Sequence, residues 1–72
     1  MDNTQTYQKV LEQVAVDYRN ADVTHEQDLV EVRKFAGTPE YLVRLQAADE
    51  KWCATRAVIR EALCNTKKEL GL

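Results

Sequence analysis

From Tyr41 onward, apolar or small residues recur at four- and three-residue steps: Tyr41, Leu45, Ala48, Trp52, Thr55, Ile59 and Ala62. Leu42, Val58 and Leu63 widen this stripe. Arg44, Asp49, Glu50, Lys51, Arg56, Arg60 and Glu61 fill much of the remaining circumference. Such spacing marks one face of an α-helix and comes close to a heptad. No Gly or Pro interrupts the run, so the pattern predicts a helix over 40–69. Lys67 and Lys68 put positive charge where a helix dipole favours it, and Gly71 is a natural stop.

The start of this helix is punctuated by Gly37-Thr38-Pro39-Glu40. Gly accepts the left-handed conformation that ends a helix. Thr38 is a good N-cap, Pro39 suits a first helical position, and Glu40 complements the positive end of the dipole. One helix therefore ends near Ala36, the turn occupies 37–39, and the next helix begins at once. So short a link favours antiparallel neighbours.

The first half of the chain is less even. Tyr7, Val10, Leu11, Val14 and Tyr18 form one helical stripe, and Leu29, Val32, Phe35 and Ala36 form another. Between them, Arg19 to Asp28 is polar and poor in helix formers. Thr24 with Gln27 three residues later fits a capping box. The segment 4–36 is thus helical either as one long helix with a weak middle or as two helices. The pattern favours a break near 20–24. The expected fold is all-α: a single domain, 1–72, built as an antiparallel helical hairpin with room for a third, short N-terminal helix.

A two-helix hairpin buries only one side of each helix. Val16, Val30, Val43, Val58 and Leu70 are then left without a home in the chain, and surplus apolar surface on a small protein marks an interface. Trp52 reads first as core and second as an anchor across such an interface, where Trp, Tyr and Arg dominate. Tyr41 and Phe35 flank the turn and are expected to pack on each other.

Composition narrows the classes. With 44% apolar and 31% charged residues the chain is globular, not disordered. A net charge of −2 gives no basic footprint for nucleic acid. The stretch 1–5 is polar, unlike a signal peptide, and no apolar run approaches the ~20 residues of a membrane span, so the expected location is the cytoplasm. Cys53 and Cys64 are the only cysteines. Eleven residues apart on one helix they stand ~16 Å from each other, beyond the ~7 Å a disulfide allows, and they read as small, semi-buried apolar residues.

Candidate chemistry is thin. His25 is the only histidine and falls in the polar link, where it reads as a solvated residue near a helix start. Asp22, Glu26, Asp28 and Glu31 lack EF-hand spacing and its central Gly, so they read as a solvated acidic face. Arg56, Arg60 and Lys67 share a helix side with acidic residues interleaved. The chain contains no Ser and no glycine-rich phosphate loop. The expectation is a non-enzymatic binding protein with no catalytic, cofactor or metal residues, no small-molecule substrate and no nucleic-acid partner. The alternatives are a structural homo-oligomer paired through the 41–62 stripe, a homodimer when alone, and a small phage-type inhibitor or regulator that binds another protein.

Gly37, Pro39-Glu40-Tyr41 and Leu45-Gln46, followed by a long amphipathic helix in a chain of this length, resemble the YscE/EscE-type small co-chaperones of type III secretion systems. The resemblance covers mainly 30–65. It implies a cytosolic helical hairpin without catalysis. It also implies two partners: a larger chaperone of tetratricopeptide-like helix pairs, and the needle-filament subunit whose self-assembling helix the two keep covered until export. Under this resemblance Tyr41, Leu45, Trp52 and Ile59, or residues one step around the helix, face the larger chaperone.

Overall fold

The computed structural model describes residues 3–72. Met1 and Asp2, at the head of the polar stretch 1–5, lie outside the described residues. Two α-helices account for the fold: α1, Asn3–Arg33, and α2, Glu40–Glu69. They lie antiparallel as a rod of 56 × 16 × 8 Å. Among the described residues no second layer covers either helix, so the interior they form is the seam between them.

The break expected near 20–24 does not occur. α1 runs through it unbroken. The residues there cost at most ~0.7 kcal/mol each relative to Ala, and neither Gly nor Pro is among them. Pairing with α2 offsets that deficit. Ala21 is buried in the seam, and Asp22, His25 and Asp28 each bond to an α2 side chain. Thr24 and Gln27 consequently sit inside a helix instead of capping one.

The turn is longer than expected, because α1 ends at Arg33 and not at Ala36. Lys34, Phe35 and Ala36 donate to the carbonyls three residues back, at 3.2, 3.0 and 3.1 Å, which tightens the last turn into 3₁₀ geometry. Gly37 has φ +84°, the left-handed conformation predicted for it. Thr38 does not cap α2. Its hydroxyl donates backward to the Phe35 carbonyl at 2.7 Å, and α2 begins with no side-chain cap. Glu40 supports the first turn instead, through an ion pair with Arg44 at 3.1 Å. α2 ends as predicted: Gly71, at φ +73°, donates to the Lys68 carbonyl and Leu72 to that of Lys67, a Schellman closure.

The seam follows 3–4 steps on both helices. Tyr7, Val10, Val14, Tyr18, Ala21, His25, Leu29 and Val32 line it from α1, with Phe35 just beyond; Tyr41, Leu45, Ala48, Trp52, Ile59, Leu63 and Thr66 line it from α2, with Leu70 at its end. Ala21, Val32 and Ala48 are the buried ones; the larger side chains stay half-buried. Beyond Trp52 the stripe departs from expectation. Thr55 and Ala62 are exposed, and Arg56 and Leu63 turn inward in their place. Phe35 lies beneath the Arg44 guanidinium, 3.9 Å from the ring centre. At the open end, the Asn3 amide donates to the Leu70 carbonyl at 3.0 Å.

A Cβ at residue 37 would meet nothing within 4 Å, so Gly37→Ala isolates the conformational penalty. The substitution should lower stability by ~1 kcal/mol in urea denaturation, and an unchanged midpoint would contradict the assignment of the turn.

Candidate functional site

Midway along the hairpin, polar and aromatic groups from both helices interlock. One carboxylate oxygen of Asp22 accepts from the Trp52 indole N–H at 2.8 Å and from the Arg56 guanidinium at 3.2 Å. That guanidinium also lies over two rings, 4.7 Å from the Tyr18 centre and 5.2 Å from that of Trp52. His25 stacks on Trp52, with centroids 4.4 Å apart and planes 15° from parallel. Its Nε2 is 2.8 Å from the Asp49 carboxylate. Lys51 reaches Asp28 at 3.3 Å one turn further on. Helical spacing explains the grouping: Tyr18, Asp22 and His25 lie on one side of α1, and Asp49, Trp52 and Arg56 on one side of α2.

His25 is therefore not a solvated residue at a helix start. It lies mid-helix, half-buried in the stack. The carboxylates read as a solvated acidic face divide in two. Asp22 and Asp28 bind across the seam, whereas Glu31 pairs locally with Lys34 at 3.1 Å. Glu26 stays exposed. Among the described residues no cluster of three or more His, Cys, Asp or Glu is placed to hold a metal ion. Both cysteines are free and exposed, not semi-buried. The clasp orients Trp52 and fixes the register of α2 on α1.

Tyr41, Leu45, Trp52 and Ile59 all fall in the seam, half-buried against α1. The apolar residues open to solvent on α2 lie on its far side. Val43, Ala47, Ala54 and Val58 each come two residues after a seam member, which puts them about 200° away, on the far side of the helix. Val43 is 70% and Val58 67% exposed, and the two alanines between them are exposed as well. The stripe spans ~22 Å at 1.5 Å per residue. Glu50 interrupts it midway. Leu42, 71% exposed, flanks its start and joins Leu45, Gln46, Asp49, Glu50 and Cys53 around a shallow hollow. Val16 and Val30 are exposed on α1 as expected, but Leu70 is half-buried at the open end of the hairpin, just past α2. No helix among the described residues is long and apolar enough to cross a membrane.

Trp52→Ala should destabilise the hairpin by ~3 kcal/mol, since it empties the centre of the seam and removes the indole that Asp22 and His25 share. Asp22→Ala should cost only ~1 kcal/mol, because its bonds are solvent-exposed. Chemical denaturation followed by circular dichroism reads both values, and equal losses would contradict a clasp built around the indole.

No family model, curated protein or solved structure matches this chain, so the geometry of the hairpin itself carries the functional reading.

Proposed function

We propose that this protein is a non-enzymatic cytosolic chaperone or adaptor that covers and stabilises a helical partner. The observation that carries this reading is the exposed stripe Val43, Ala47, Ala54 and Val58 on the far side of α2. A rod with three buried residues among those described has little stability to spare, and an apolar stripe open to water is a site for another apolar helix. Small residues between two valines let a partner backbone approach closely. Glu50, at the middle of the stripe, favours a partner that presents a basic residue there.

The resemblance carried by Gly37, Pro39-Glu40-Tyr41 and Leu45-Gln46 makes the proposal more specific. The partner is a larger chaperone of helical repeats, and the pair holds a needle-filament subunit of a type III secretion system. In that arrangement Tyr41, Leu45, Trp52 and Ile59 act through the hairpin. They hold α2 against α1, and residues one step around meet the partner.

A tagged pull-down from the native cell, with mass spectrometry of the bound proteins, is the direct test. It should return a helical-repeat chaperone together with a short filament subunit. Val43→Asp with Val58→Asp should abolish capture while the circular dichroism spectrum keeps its helical signal. Return of the bait alone would refute the proposal, and so would capture indifferent to both substitutions.

A further inference from the structure

α1 carries a second apolar line. Val16, Val23 and Val30 are 46, 47 and 53% exposed. Each lies two residues after a seam position (Val14, Ala21, Asp28), so the line runs along the side of α1 that faces away from α2. The seven-residue interval drifts only about 20° per repeat, which keeps the three valines in one row.

The two flanks of this row differ. On one side, also at seven-residue intervals, stand Glu12, Arg19, Glu26 and Arg33, alternating in sign. On the other stand the neutral amides Gln13, Asn20 and Gln27. Among the described residues none of the four charged side chains has a hydrogen-bond or ion-pair partner, whereas Asp22, Asp28, Glu31 and Glu40 are all paired.

We propose that this face of α1 docks a second copy of the same chain, packed antiparallel about a two-fold axis beside Val23. Such an axis sets Val23 against its own copy and Val16 against Val30. It also brings the charged flank of one copy onto the charged flank of the other. Glu12 then faces Arg33, and Arg19 faces Glu26, each twice over. A parallel dimer would instead set charges against amides. A slip of one heptad would set Glu12 against Glu26 and Arg19 against itself, so the sign alternation fixes both orientation and register. The area agrees. The chain exposes 5659 Å², against roughly 4,600 Å² for a compact monomer of its mass. The excess, roughly 1,100 Å², exceeds the ~800 Å² each partner contributes to a stable interface. The contact uses α1 alone and leaves the α2 stripe open, so it stands whatever α2 binds.

The test is sedimentation velocity of the full chain over a range of concentrations, joined to charge exchange. The wild type should form a dimer. Arg19→Glu should weaken it about tenfold or more, since two attractive pairs become repulsive, and adding Glu26→Arg should restore it. Circular dichroism verifies that each variant keeps its helices. In a background with Cys53→Ser and Cys64→Ser, Val23→Cys should cross-link to itself on mild oxidation. Val16→Cys should cross-link to Val30→Cys but not to itself. A monomer at all concentrations would overturn the proposal. A dimer indifferent to Arg19→Glu, or one in which Val16→Cys cross-links to itself, would overturn it equally.

Discussion

A single carboxylate oxygen of Asp22 takes two donors from the opposite helix, the Trp52 indole and the Arg56 guanidinium. Its energy is modest because water reaches it; its effect is on alignment. Once Asp22 and Trp52 are joined, His25 is placed to stack on the indole and Asp49 to receive its imidazole nitrogen. Nearer the turn Lys51 bonds Asp28, and Ala21 and Ala48 are small residues buried at separate levels of the seam. The clasp therefore accounts for two things: the register of the hairpin and the persistence of α1 through its weakest segment.

The features legible in the sequence are those set by local chemistry. Gly37 and Pro39 mark a reversal because a positive φ and a fixed φ are properties of single residues. The bounds of α2 follow from periodicity and from Gly71. The continuity of α1 was not legible, because its support comes from residues about thirty positions away. Nothing local pairs Asp22 with Trp52. The change of stripe after Trp52 was hidden for another reason. Arg56 looks like a solvent residue, yet its guanidinium covers Tyr18 and its stem lies along the seam. Of the residues expected to be left over, Val16, Val30, Val43 and Val58 are open to solvent because a hairpin has two sides, whereas Leu70 is drawn in at the end that Asn3 ties down. Tyr41, Leu45, Trp52 and Ile59 were recognisable as one face, but periodicity cannot say whether a face meets its own chain or another.

The two outer faces differ in kind. On α2 the apolar stripe has small residues at its centre and one acidic interruption, features that suit a foreign helix. On α1 the valines have alternating charge along one flank and neutral amides along the other. Both exist because the seam uses a single side of each helix. A third helix in the same chain would have covered one of them.

The antiparallel register also sets an order of events. Cross-helix contacts join residues close in sequence near the turn, such as Phe35 with Arg44, and residues at opposite ends of the chain at the far end, where Asn3 meets Leu70. Loop closure near Gly37 costs little chain entropy, and each later contact closes on one already made. The hairpin thus zips from the turn and unzips from the termini. A helix entering at the open end would displace the contacts with the least cooperative support first, and strand exchange could advance turn by turn without passing through a fully unfolded chain.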